Sequence, residues 1–280
     1  MSIENITVAN TSGSTASSLT FSHNHTAGNY LVVFVGTRNT TNISVTYNGV
    51  SMTSETSEVS STAIKKECFV LEDPAGGAND VVVTLSTARR FSVFAVSLSN
   101  IGAVRNTQTA SSYISSLDPY EIEMDVPSGV GDIVLTSYHW ERSNAGVLSV
   151  STNETLENED DVNAQASRGA LTSKAGLATE TPTKIEFNAG GDNFPGNVAG
   201  VGISLSTTSG VDQHSFRFRN DDGSESAATW KENLNTNTEM VAGESARIRI
   251  LLDTDGSPGA APYQFEARTN GGSWLKVEVE

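Results

Sequence analysis

Along most of the chain, apolar and polar residues alternate in short runs rich in Val, Ile, Thr, Phe and Tyr, the pattern of half-buried strands. In the first half these runs predict strands at Tyr30 to Gly36, Ile43 to Tyr47, Glu67 to Leu71, Asp80 to Leu85 and Phe91 to Leu98. In the second they fall at Glu121 to Val126, Ile133 to Trp140, Gly146 to Val150, Thr183 to Phe187 and Ala199 to Leu205. Turn chemistry separates them: Asn48-Gly49, Pro74 to Gly77, Pro127 to Gly129 and Gly190 to Asp192. No segment has the 3.6-residue period of an amphipathic helix. The Ser and Gly content of Asp161 to Gly176 reads as a loop.

The pattern also repeats. TFSHNHTAGNYLVVFVG, from Thr20, and EIEMDVPSGVGDIVLTSYHW, from Glu121, each read as strand, polar turn and apolar strand. Each is followed by a short Val/Ser strand, and each unit closes on a similar apolar run, SVFAVSLSNI or NVAGVGISLS. The fold class expected is all-β: an antiparallel, jelly-roll-like β-sandwich over residues 1–208, with weakly similar halves at about 18–101 and 119–206. The preferred arrangement is one two-sheet sandwich. Two tandem Ig-like sandwiches are the alternative, with Ala103 to Leu117 as linker. Past Ser206 to Gly210 a small β domain is expected over 212–280, marked by the alternation in Arg247-Ile-Arg-Ile-Leu and Leu275-Lys-Val-Glu-Val.

Charge narrows the partners. With 33 acidic against 17 basic residues the formal charge is −16, which disfavours nucleic acid and anionic membranes. No apolar run reaches membrane-spanning length. The first residues, MSIENITVANTSGS, lack the basic and apolar regions of a secretory signal. Cys68 is the only cysteine, so no intramolecular disulfide is expected, and its place in ECFVL reads as core. Only 18% of residues are charged, leaving Ser, Thr, Asn and Gly to cover the surface.

No residue set rises to a reaction. His23-Asn24-His25 precedes a turn and reads as a solvated loop; His139 and His214 have no second ligand at metal spacing. No Ser sits in a Gly-x-Ser-x-Gly elbow. The acidic run ETLENEDD, from Glu154 to Asp161 with Glu157 within it, reads as a polar loop, whereas two-carboxylate hydrolysis needs acids held across a cleft. Asp221 and Asp222, and again Asp253 and Asp255, resemble calcium loops. From Asp253, however, positions 6 and 12 are Pro258 and Gln264 where an EF-hand needs Gly and Glu. The expectation is therefore no catalytic residue, no cofactor and, at most, structural calcium at those four aspartates. Trp140, Trp230 and Trp274, with Tyr30, Tyr47, Tyr113, Tyr138 and Tyr263, serve either a core or a sugar-stacking face.

Two groups of motifs carry a resemblance. FRFRNDDGSESAATW, GESARIRI, YQFEAR and GGSW resemble a module in proteins of tailed bacteriophages and related bacterial sequences. GNYLVVFVG, SVTYNGVSMT, LEDPAGGANDVVVTLS and SVFAVSLSNI resemble a β-sandwich module of phage structural and bacterial surface proteins. Together they cover most of the chain. The resemblance implies a non-enzymatic virion structural protein on the outer particle surface, first of all a capsid decoration or cement protein. Its partners would be the major capsid protein or other virion proteins and further copies of itself, a trimer fitting such lattices. An adhesin or carbohydrate-binding module meeting surface glycans is the alternative.

Overall fold

The computed structural model describes residues 2–11, 14–26, 30–114, 121–140, 146–160, 168–177, 179–188, 196–207, 211–220, 222, 227, 229–239, 246–254, 266–267 and 275–276. These fall into two compact units, Met1–Thr208 and Ser209–Glu280. Every named element is a strand.

The first half of the larger unit holds β1 (Ser2–Asn10), β2 (Ala16–His25), β3 (Tyr30–Arg38), β4 (Ile43–Tyr47), β5 (Val50–Ser51), β6 (Thr53–Ser60), β7 (Ile64–Glu72), β8 (Gly77–Arg89) and β9 (Phe91–Ser99). They form two antiparallel sheets in the orders β1-β9-β3-β7-β6 and β2-β8-β4-β5. The chain crosses between the sheets at each of its first three connections and again from β5 to β6, from β7 to β8 and from β8 to β9, which is the winding of a jelly roll. A tight turn with Asn48 at φ 50° and Gly49 at φ 77° joins β4 to β5, as the Asn-Gly pair predicts.

The second half holds β10 (Ile101–Ile114), β11 (Glu121–Pro127), β12 (Ile133–Trp140), β13 (Gly146–Val150), β14 (Glu154–Asp160), β15 (Arg168–Ala175), β16 (Glu180–Asn188) and β17 (Gly196–Thr207). Its sheets run β10-β17-β12-β15-β14 and β11-β16-β13. Strand for strand this is the order of the first half, lacking only a counterpart of the two-residue β5. The repeat in the sequence is thus a repeat of topology.

Four sheets, rather than the expected two, make up residues 1–208, with three apolar layers between them. Leu31, Val33 and Val35 of β3 meet Tyr47, Val81 and Val83 inside the first jelly roll. Tyr30, Val32 and Phe34, on the opposite face of β3, meet Leu135, Val201, Ile203 and Leu205 of the second half. Met124, Tyr138, Trp140, Ile185 and Phe187 fill the second jelly roll, where the Trp140 and Phe187 rings stand edge to face at 5.0 Å. The two large sheets therefore lie face to face. This explains why YLVVFV and FSVFAVSL read as unbroken apolar runs: β3 and β9 are buried on both faces. The shared layer holds 14 buried residues, each contributing about 1.5–3 kcal/mol on burial.

Of the interval Ala103 to Leu117, which the alternative reading makes a linker, residues 103–114 lie in β10, paired along its length with β17; residues 115–117 lie outside the described ones. Arg168–Ala175, within the expected loop, is β15, hydrogen-bonded on both sides by β12 and β14. Residues 161–167 lie outside the described ones.

In Ser209–Glu280, β18 (Val211–Asn220) pairs with β19 (Ala246–Thr254), and β20 (Glu266–Ala267) with β21 (Leu275–Lys276). Residues 229–235 run along the other edge of β18. Asn220 N–H donates to Thr229 O at 2.9 Å, Lys231 N–H to Phe218 O at 3.0 Å and Asn235 N–H to Phe216 O at 2.9 Å.

Candidate functional site

The sequence singled out histidines and carboxylates, and most of those in the larger unit are buried. His23 and His25 continue the inward stripe of β2 after Leu19 and Phe21, and both are buried, so the solvated-loop expectation is overturned. The reason is register. Period-2 alternation puts residues 19, 21, 23 and 25 on one face, and Ser97 and Thr7 give the imidazoles partners. Ser97 Oγ lies 2.8 Å from His23 Nε2 and 2.8 Å from His25 Nδ1, and His23 Nδ1 is 2.8 Å from Thr7 Oγ1. Burial, reinforced by His25, lowers the His23 pKa to about 4, and burial lowers that of His25 as well. Both rings are neutral at pH 7. Ser97 is fully buried between them, so this serine–histidine contact has no route to a substrate.

His139, also fully buried, lies in the layer shared by the two jelly rolls, 3.1 Å from Ser92 Oγ through Nδ1. Burial, with Lys66 nearby, pulls its pKa well below the ordinary value. The Lys66 ammonium sits 5.0 Å from the Phe94 ring centre and 5.9 Å from that of Phe34, fully buried and without a hydrogen-bond acceptor. Burial lowers its pKa to about 7, against the opposing influence of Cys68 and Asp160. Cys68 is fully buried, and burial pushes its thiol pKa up, which removes it as a nucleophile.

The acidic run is not a loop either. Glu154–Asp160 is the edge strand β14, and Glu154 and Asp160 are buried. Glu154 accepts from Thr172 Oγ1 at 2.5 Å, Ser151 Oγ at 2.5 Å, Ser151 N–H at 3.1 Å and Lys184 N–H at 3.0 Å. Four donors from three chain segments make this carboxylate a brace between β14, β15 and β16. Glu157 accepts from Ser173 Oγ on the neighbouring strand. The two acids share one strand and face no common cleft, so they lack the geometry of a hydrolytic pair.

Of the four calcium candidates, Asp221 and Asp255 lie outside the described residues. Asp222 is exposed and accepts from Thr229 N–H at 2.9 Å and Thr229 Oγ1 at 2.5 Å, which lowers its pKa and makes it a turn brace. Asp253 pairs in register with Asp212 on β18. Among the described residues no three His, Cys, Asp or Glu side chains gather as a metal site. Trp140, Tyr30, Tyr47 and Tyr138 are core residues, while Tyr113 is 62% exposed on β10. Trp274, Tyr263 and the His214 side chain are outside the described set.

Two further features of the described residues follow from strand register rather than from any motif. One is the β18–β19 ribbon. There Arg217 stands opposite Arg249, and Arg219 opposite Arg247, while Phe216, Phe218, Ile248 and Ile250 occupy the other face. Trp230, 40% exposed, lies 4.2 Å from the Arg217 guanidinium carbon and 4.8 Å from that of Arg219. The alternation RFRN and RIRI carries this signal, legible once the register is known.

The other is a contrast between the two outermost sheets. On the second jelly roll, Glu121, Glu123, Asp125 and Glu186 point outward beside Lys184, whose Nζ is 2.8 Å from Glu121. The equivalent strand of the first, β2, presents Ser18, Thr20, Ser22 and Asn24.

Comparison of the chain with family models, curated proteins and solved structures returned no match.

Proposed function

We propose that this chain is a non-enzymatic structural protein on the outer surface of a tailed-phage particle, a decoration or cement protein that docks on the major capsid protein and associates with copies of itself. The observation that supports this best is the four-sheet stack. Its three apolar layers draw His23, His25, His139, the thiol and Lys66 inward, while β2 presents hydroxyls and an amide outward and β11 carboxylates. Such a block resists proteolysis, because few backbone groups open locally without breaking a layer. Affinity would come from many small contacts repeated by symmetry. The test is composition: purified particles should contain the chain at a fixed ratio to the major capsid protein, and its absence from them would end the proposal.

A second reading, a glycan-binding surface module, draws on Trp230 and Tyr113, which leave aromatic surface open to solvent. Saturable binding on a glycan array, lost in Trp230→Ala or Tyr113→Ala, would favour it.

A further inference from the structure

Three arginines meet at one end of the first jelly roll. Arg38 ends β3, Arg89 ends β8, and Arg90 links β8 to β9. The Arg38 N–H donates to Arg90 O at 2.9 Å, which ties the two segments together. Around them lies an open cleft lined by Thr15, Arg38, Asn39, Ala88, Arg89 and Arg90. Asn39 is held at φ 63° as the chain turns away from β3. The cleft thus draws on three connections of the fold: β1 to β2, β3 to β4 and β8 to β9.

Its charge is at odds with the rest of the chain. The protein carries 33 acidic residues and a formal charge of −16, yet no carboxylate is among the described residues lining this cleft. Close like charges raise the energy of the ligand-free state. The Arg89 Nη1 donates to the carbonyl of its own neighbour, Ala88, at 3.2 Å, while its Nε is buried without an acceptor. A buried donor without an acceptor is costly in a folded protein and calls for one.

We infer that this cleft binds an oxyanion, either a free small anion or the phosphate, sulfate or carboxylate group of a larger ligand. The guanidinium fork presents paired N–H donors that match two oxygens of such a group. Thr15 and Asn39 add neutral donors beside the arginines. The inference goes beyond the particle-surface role and does not depend on it; its failure would leave the particle composition untouched.

The experiment is titration of the full chain with sodium phosphate, sodium sulfate and sodium glucuronate, with chloride adjusted to hold ionic strength constant. Arginine Nε–H resonances and the melting temperature are both followed. Saturable movement of the Arg89 Nε–H signal, with a rise in melting temperature, is expected for at least one anion. A response to phosphate or sulfate alone identifies a tetrahedral group, and one to glucuronate alone a carboxylate. The Arg38→Gln/Arg89→Gln variant should bind at least tenfold more weakly and, free of anion, should melt no lower than the parent. A parent signal that follows chloride equally well, or a variant that keeps its affinity or loses stability without anion, overturns the inference.

Discussion

His139 of β12 occupies the space that a side chain on Gly36 of β3 would need: a Cβ at Gly36 would stand 2.4 Å from both Cγ and Nδ1 of the imidazole. These are corresponding central strands of the two jelly rolls, third in the chain order of each. The contact is one of close approach between the stacked sheets, and a buried ring near its own Cβ has little freedom to retreat.

Gly36→Ala should therefore destabilise the larger unit by about 1–3 kcal/mol through overpacking alone. The double variant Gly36→Ala/His139→Ala should recover part of that loss. Urea unfolding of the four corners of the cycle measures the coupling, and simple additivity would show that the two residues do not share this space.

Lys66→Met should stabilise the protein at neutral pH. Burial brings the folded-state pKa of Lys66 to about 7 from 10.5. Between those values the unfolded chain holds a proton that the folded chain lacks, so stability falls as pH drops from 10.5 to 7 and levels off below. At pH 7 and lower the penalty is about 3–5 kcal/mol, and methionine removes both the penalty and the slope. His139, Cys68 and Asp160 surround the same site and are unchanged in the variant. Equal stability of variant and parent across pH 7–10 would refute the expectation.

Acid should weaken the fold through the histidines. The His23 pKa is lowered to about 4 from 6.5, so the unfolded chain takes up the proton first as pH falls through that window. Stability present above pH 6.5 is lost towards pH 4, by about 3 kcal/mol for this ring. His25 and His139 act in the same direction. His23→Gln should flatten the profile of unfolding free energy against pH by about one proton.

The turn between β6 and β7 holds Ser61 at φ 53° and Thr62 at φ 62°, with Ala63 N–H bonded to Ser60 O at 3.0 Å. A β-branched residue is poorly suited to this left-handed backbone. Thr62→Gly should raise stability by about 1 kcal/mol, read as a higher urea midpoint with an unchanged slope.

Strand content, the Asn48-Gly49 turn and the internal repeat were all legible in the sequence, because period 2 and turn chemistry are local properties. The candidate sites were legible only as residue types. ETLENEDD reads as solvent-loving until β15 and β16 supply the donors that satisfy Glu154. His23 and His25 read as polar until Ser97, 72 residues away from His25, is seen to bridge them. The arginine cleft left no motif at all, since Arg38 and Arg89 come together only when β3 and β8 end at the same rim.

The all-β class, the two similar halves and the smaller tail follow from alternation, β-branching and the absence of a helical period, which act within a few residues. The stacking of the halves as two jelly rolls, sheet on sheet, comes from contacts between strands far apart in the chain. A strand apolar on both faces states that it needs cover twice, but not which distant strand will supply it. That choice belongs to packing between Phe34, Leu135, Val201 and their neighbours, which no local pattern encodes.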